Sequence, residues 1–174
     1  MSMLRILTMT TPDSENGLGC RVTLWFAGCS HHCDGCHNQH TWDYNQGRRF
    51  LDDDIQEKIY KEVSSEYIKG ITLSGGDPLS QPDENLKDLL EFLKKFKQDF
   101  PAKDIWIYSG STYENDIQNP IKKSILEICD VMVDGPFIKE LYSPDIAFRG
   151  SKNQRIIDLQ ATKQNKQIIE MNIK

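Results

Sequence analysis

An α/β fold around a mainly parallel sheet, in the form of a partial barrel or an open sheet, is what this sequence predicts. Three features lead there. Short apolar, β-rich runs recur along the chain, each closed by a glycine or another turn residue. Between them lie stretches whose apolar residues share one helical face. The chain has 174 residues, whereas a complete eight-unit barrel typically takes about 250.

Taken in order, the apolar runs Leu4 to Met9 and Val22 to Ala27 predict the first two strands. From Asp52, residues Ile55, Ile59, Val63 and Tyr67 recur every fourth position and predict a helix. The acidic run Asp52, Asp53, Asp54 is expected to cap it and complement its dipole. Ile71 to Ser74 reads as the next strand. Leu86, Leu89, Leu90, Leu93, Phe96 and Phe100 then form an apolar stripe opposite Lys87, Glu91, Lys94 and Lys95, and Pro101 ends that helix. Ile105 to Ser109 predicts a strand, Ile121 to Ile128 a third helix, and Val131 to Val133 and Ile156 to Leu159 the last strands. Strands alternating with helices imply βαβ units. With no repeat, low-complexity stretch or linker, residues 1–174 are expected to form one domain, its core at about 16–160. The basic tail spans 161–174. From Arg149 onward six Lys/Arg face two acids, a net of +4, which predicts a solvated tail, with contact to an acidic partner as the alternative.

Composition narrows the function classes. Twenty-one basic and 26 acidic residues give a net charge of −5, which argues against a general nucleic-acid-binding protein. No stretch approaches the roughly 18 apolar residues of a membrane span. MSMLRILTMTTPDSE has only a short apolar piece and no small-residue cleavage site, so a cytoplasmic location is expected. Five cysteines are an odd number, three of them crowded at Cys29, Cys33 and Cys36. In a reducing compartment such thiols read as metal ligands or redox groups rather than disulfides.

The segment Gly28-Cys29-Ser30-His31-His32-Cys33-Asp34-Gly35-Cys36-His37 follows directly on an apolar strand. Three thiols therefore sit on one loop at a strand's carboxyl end, where α/β folds place their chemistry. Zinc would want four ligands, and His31, His32, His37 or His40 would complete a Cys3His set. The C-x3-C-x2-C spacing also suits an iron–sulfur cluster with three irons held and one left open for a substrate or cofactor. Both readings stand on spacing alone. Cys20 and Cys129 lie apart within apolar runs and are expected to be small core residues. A second strand ends in Ser74-Gly75-Gly76-Asp77-Pro78, where glycine lets a ligand approach the backbone, or where a tight turn simply precedes a capping Asp and an N1 proline. Tyr108-Ser109-Gly110 and Val133-Asp134-Gly135-Pro136 end strands in the same way. Neither a phosphate loop, a dinucleotide fingerprint nor a nucleophile elbow occurs.

These motifs together resemble the radical S-adenosylmethionine enzymes. More closely, five segments resemble the activating proteins of anaerobic ribonucleoside-triphosphate reductases. They are Cys36 to Asp43, Leu73 to Leu79, Ile105 to Gly110, Val131 to Phe137 and Phe148 to Arg155 (Phe-Arg-Gly-Ser-Lys-Asn-Gln-Arg), and the likeness covers about Asn16 to Ile157. The resemblance implies a partial β/α barrel of the radical S-adenosylmethionine type and a [4Fe-4S] cluster ligated by Cys29, Cys33 and Cys36. It also implies reductive cleavage of S-adenosylmethionine to a 5′-deoxyadenosyl radical, which takes hydrogen from a glycine of the large reductase subunit. The protein would orient the cofactors and exclude side reactions; no protein side chain serves as general base.

Carried onto this chain, the resemblance has Gly35, Cys36 and His37 bordering the cofactor at the cluster loop. Gly75, Gly76 and Asp77 meet its amino group, chiefly through backbone, and Ser109 and Asp134 are further candidates for the pocket. It implies a flavodoxin-like electron donor. Three departures stand out. Many radical S-adenosylmethionine proteins have an aromatic residue where this chain has Gly35, the position after Cys36 is His37, and an expected Asn-Gly-Pro-Gly turn reads Asn16-Gly17-Leu18-Gly19. The alternatives are an activase of the pyruvate formate-lyase type, a 7-carboxy-7-deazaguanine synthase, and a zinc-binding module without catalysis. His31 and His32 read equally as solvated loop residues, and Trp42 and Trp106 as core.

Overall fold

The computed structural model describes residues 3–174. A seven-stranded sheet has the order β3-β1-β2-β4-β5-β6-β7. Its strands are β1 (Arg5–Asp13), β2 (Cys20–Phe26), β3 (Arg48–Arg49), β4 (Ile68–Gly75), β5 (Asp104–Tyr108), β6 (Val131–Asp134) and β7 (Arg155–Asp158). The helices are α1 (Asp53–Val63), α2 (Asp83–Asp99), α3 (Tyr113–Asp116), α4 (Pro120–Ile128) and α5 (Leu159–Asn165). Strands β2, β4, β5 and β6 are parallel, as the alternation of strands and helices requires. The outer pairings are antiparallel. Six residues separate β1 from β2, too few for a parallel crossover, so β1 folds back as a hairpin partner. The sheet does not close on itself: β3 and β7 are its ends.

Strand alternation divides the sheet into two unlike faces. Val22, Leu24, Phe26, Ile71, Leu73, Ile105, Ile107, Met132 and Ile157 join one core cluster with Ile59 and Val63 of α1, Leu89 and Phe96 of α2, Ile125 of α4 and Leu159 of α5. The helices that carry the core thus cover a single face. The opposite face presents Arg21, Thr23 and Trp25 of β2, Thr72 and Ser74 of β4, and Trp106 and Tyr108 of β5, in register across the ladder. Toward its β5–β7 end this face carries a second apolar cluster of Trp106, Val131, Val133 and Ile156.

Several expectations need correction. Helix α1 ends at Val63, and Tyr67 lies beyond it, 62% exposed. Asp52 occupies the N-cap position, but its carboxylate and that of Asp54 turn to Arg48, at 3.4 and 2.6 Å, instead of capping. Leu159 begins α5 rather than ending a strand, because the Asp158 carboxylate accepts from the Ala161 N–H at 2.8 Å and caps the helix. Nor does the C-terminal segment wave in solvent. It runs along β7, Asp158 N–H donating to the Ile169 carbonyl and Met171 N–H to Ile156, and sets Ile168, Met171 and Ile173 against the two clusters. Its apolar residues outweigh its surface lysines. Among the described residues no helix is long and apolar enough to cross a membrane.

Truncation after Asn165 is expected to lower stability in urea by about 3 kcal/mol, roughly 1 kcal/mol for each half-buried apolar side chain removed, and to promote association through the bared edge of β7. An unchanged unfolding midpoint would return this segment to the role of a solvated tail.

Candidate functional site

The carboxyl ends of β2, β4, β5 and β6 converge at one edge of the sheet. The turn after β4 is laid directly on the loop after β2: Gly76 N–H donates to the Phe26 carbonyl and Asp77 N–H to Gly28, both at 2.8 Å. Gly28 in turn donates to the Thr41 carbonyl at 2.7 Å. Two glycines are required by this stacking. Gly28 has φ +103°, and a Cβ on it would lie 2.2 Å from the Tyr44 ring. A Cβ on Gly76 would lie 2.3 Å from the Gly28 oxygen.

The Asp77 side chain fastens the arrangement. It is buried, and its two oxygens accept from four donors: Leu79 N–H at 2.8 Å and Ser80 N–H at 3.2 Å on Oδ1, Gly110 N–H at 2.9 Å and His31 Nε2 at 2.7 Å on Oδ2. One carboxylate thereby joins the cysteine loop, its own turn and the end of β5. The hydrogen bond to Asp77 raises the pKa of His31. No helix follows Pro78, so Asp77 closes a turn rather than capping a helix.

Cys29, Cys33 and Cys36 line one narrow cavity of about 140 Å³, together with Gly75, Gly76, Asp77 and Ser109. Cys29 is the most buried of the three, and burial pushes its thiol up to about 11, so the bare loop keeps this sulfur protonated. Among the described residues no three His, Cys, Asp or Glu side chains are already gathered as a metal site. The narrow cavity opens, across walls shared through Cys36, Asn38, Ser74, Tyr108, Phe137 and Gln154, into a cleft of about 630 Å³. His37 lines the larger cleft between the rings of Phe137 and Tyr142, each 5.4 Å from its own.

Other expected site residues are engaged elsewhere. Gly35 lines neither cavity; it has φ +74° and packs on Lys139. Asp134 also lines neither, its carboxylate accepting from Arg155 and from Tyr113 N–H at 2.7 Å. The Ser109 hydroxyl donates to the buried Asp116 at 2.7 Å. Neither loop histidine is simply solvated: His31 binds Asp77, and His32 stacks on Trp42 with centroids 4.3 Å apart. Trp106 is core, Trp42 half-buried. Cys129 is buried as expected, but Cys20, at the first position of β2, is exposed. Phe137, Gln154 and Arg149 escaped assignment because the loop after β6 is brought over the cleft by tertiary contacts alone.

The chain is similar to known proteins of one family. The model of the 4Fe-4S single cluster domain family matches residues 15–157. The chain is 41% identical over 146 residues to the anaerobic ribonucleoside-triphosphate reductase-activating protein of Haemophilus influenzae, covering 83% of this chain and 91% of that one. To the Escherichia coli K12 protein of the same name it is 38% identical over 144 residues, 82% and 90% of the two chains. To that of enterobacteria phage T4 it is 39% identical over 144 residues, 83% and 87%.

Asp77→Ala leaves three partly buried N–H groups without their acceptor and is expected to cost about 3 kcal/mol or more in urea denaturation. His31→Ala removes one of the four donors and leaves the carboxylate well satisfied, so its loss is expected to be about 1 kcal/mol. Equal losses in the two variants would contradict Asp77's part as the fastening point.

Proposed function

The chain belongs to the family of anaerobic ribonucleoside-triphosphate reductase-activating proteins, and from that premise we propose that it generates a glycyl radical on the large subunit of such a reductase. In this reading it is a radical S-adenosylmethionine enzyme working in the cytoplasm with a flavodoxin-like donor, and its open sheet is the partial barrel of that class. The observation that carries the reading is the cavity shared by Cys29, Cys33, Cys36 and the Gly75-Gly76-Asp77 turn.

The donor set suits a [4Fe-4S] cluster with one uncommitted iron. Cys29, Cys33 and Cys36 would hold three irons, drawn together from one loop. Cys20 opens β2 and Cys129 precedes β6, both at the opposite edge of the sheet, too far round to supply a fourth thiolate. When bound, cluster and cofactor would supply one-electron cleavage of a carbon–sulfur bond and, through it, removal of a hydrogen atom from a reductase glycine. The protein's share is placement. The N–H groups of Gly76 and Asp77 are spent on Phe26 and Gly28, and the Asp77 carbonyl accepts from Ser80 N–H at 3.1 Å and Gln81 Nε2 at 3.3 Å, so the Gly76 carbonyl is the oxygen this turn would offer an ammonium. Cys36 and His37 border the cofactor where the two cavities meet. Ser109 contributes shape rather than its hydroxyl, which Asp116 occupies. Gly35 and Asp134 support the walls from outside, through the turn conformation and the Arg155 ion pair respectively.

Protein reconstituted without oxygen is expected to carry about four irons per chain, to cleave S-adenosylmethionine when reduced, and to produce a glycyl-radical EPR doublet on the large reductase subunit. Alanine at position 29, 33 or 36 should abolish cleavage, whereas Cys20→Ser should keep both iron and activity. One zinc and no iron, a full cluster without cleavage, or a doublet raised only on pyruvate formate-lyase would each refute the assignment.

A further inference from the structure

The lysines of the C-terminal segment have no part in the function proposed above. Two of them, Lys163 and Lys166, join Lys123 of α4 at the rim of a groove of about 380 Å³ among α3, α4 and α5. Its floor is apolar, made by Tyr113, Ile117, Leu126, Leu159 and Ile168. All three lysines are exposed, and among the described residues none pairs with a carboxylate. Two acids share the rim. Glu114 is taken, bound by both Nη atoms of Arg155 at 3.1 and 2.7 Å. Glu127 lies one helical turn from Lys123 and makes no ion pair with it. The opening thus carries three unpaired cations against one unpaired anion, on a chain whose net charge is −5. Like charges gathered round an apolar floor repel one another, and an acidic ligand relieves that repulsion while it covers the floor.

Both walls of the groove are held in place. Helix α5 ends at Lys166 with φ +53°, a left-handed conformation that costs a residue with a Cβ free energy. Buried Thr162 secures this turn, its hydroxyl accepting from Ile169 N–H at 3.0 Å, and the chain returns Ile168 to the floor. On the other side α3 is braced to two strand ends. Tyr113 N–H donates to Asp134 of β6 at 2.7 Å, and Asp116 accepts from the hydroxyl of Ser109, just beyond β5, at 2.7 Å. Ser109 and Gly135, which follow β5 and β6, line the cysteine cavity. A polypeptide seated on Tyr113 and Ile117 is thereby held in fixed relation to that cavity without entering it.

We propose that this groove docks an acidic segment of the large reductase subunit, with apolar side chains on the floor and carboxylates against Lys123, Lys163 and Lys166. The inference rests on the function proposed above and names the surface by which the partner is held. The groove's position selects the reductase over an electron donor. No residue of the cysteine loop lines it, so a donor seated there would stand off from the cluster. A large subunit can grip the helical face and still carry a glycine loop over the strand ends. The three lysines are docking residues and take no part in cofactor cleavage.

The test titrates cluster-loaded protein with the large subunit, without oxygen and at several salt concentrations, by fluorescence anisotropy. The triple variant Lys123→Glu, Lys163→Glu, Lys166→Glu should raise Kd about tenfold or more at low salt and flatten its salt dependence, because rim charges act on association and are screened by ions. The triple Arg variant at the same positions keeps the charge and should bind as wild type does. So should a control with the same charge change elsewhere, Lys58→Glu, Lys61→Glu, Lys87→Glu on α1 and α2. In activation assays the groove variant should need about tenfold more reductase for half-maximal glycyl radical, reach the same yield at saturation, and cleave S-adenosylmethionine alone at the wild-type rate. An unchanged Kd, or an equal rise in the control, would overturn the proposal. So would slower cleavage or a lower unfolding midpoint in the groove variant, which would make these lysines part of the fold. A change in self-association with reductase binding intact would give the groove to a second copy of the chain and overturn it as well. Wild type that raises no radical on any reductase would instead refute the functional reading itself, whatever the groove binds.

Discussion

Removing a carboxylate from water is costly unless its lone pairs are filled, and at Asp77 they are filled by donors from three separate stretches of chain. His31 comes from the cysteine loop, Leu79 and Ser80 from the turn after β4, and Gly110 from the end of β5. None of these loops has regular structure to hold it. Their relative positions are set where the bonds converge, and the cavity lined by the cysteines and Gly75-Gly76 is the space left between them. Glycine matters here for a related reason: the turn and the loop lie close enough that a side chain on Gly76 would occupy the Gly28 carbonyl. Stacked backbone and a shared carboxylate together fix the geometry that any ligand of this site would meet.

That constraint acts on a sheet whose two faces differ in kind. One face is closed by the helices over a continuous apolar core. The other carries Thr23, Trp25, Thr72, Ser74 and Tyr108, and among the described residues no helix contributes to the small apolar cluster at its end. In a doubly wound fold both faces would be covered and the strands would read as uniformly apolar. Here β2 and β4 alternate Thr or Ser with Val, Leu or Ile, which is the sequence trace of a polar face whose Thr23, Thr72 and Ser74 are nonetheless buried, Thr72 beneath the loop between β1 and β2, whose Asn16 carbonyl accepts from its hydroxyl at 2.7 Å.

Legibility in the sequence followed the range of the interactions. The parallel centre and the helices α1, α2 and α4 were readable because periodicity is local. The cysteine loop and the Gly-Gly turn were readable because their residue types and spacing carry chemistry within a few positions. Contacts of long sequence separation were not. His31 looked solvated because its partner is 46 residues away. Asp134 looked like a pocket residue because it ends a strand, yet Arg155 claims it from β7. The basic C-terminal segment read as a tail because charge counts ignore three apolar residues that find partners on the β7 side of the sheet. Capping by Asp52 failed more narrowly: an arginine four residues earlier competes for the carboxylate.

The two ends of the polar face show why chemistry belongs to one of them. At the amino end Arg21 is fully buried, yet every direction of its guanidinium is answered: Thr72 Oγ1 at 2.7 Å, the carbonyls of Leu18 and Ile71 at 3.0 and 2.8 Å, Asp104 at 2.5 Å, and the Trp106 ring at 5.4 Å. Burial pulls its pKa down and Asp104 pulls it back, so the charge is retained as an internal strut with nothing left to offer a ligand. Gly17 closes over it, with a Cβ there lying 2.8 Å from the arginine. At the carboxyl end, Arg149 faces an open cleft that Asp13 and Glu15 also line, with two weak backbone contacts of its own. The same side-chain type, on the same face, is saturated at one end and unsaturated at the other. The asymmetry follows from where the loops are long: six residues connect β1 to β2 over Arg21, while the 20 residues between β6 and β7 leave room for a cleft beside Arg149.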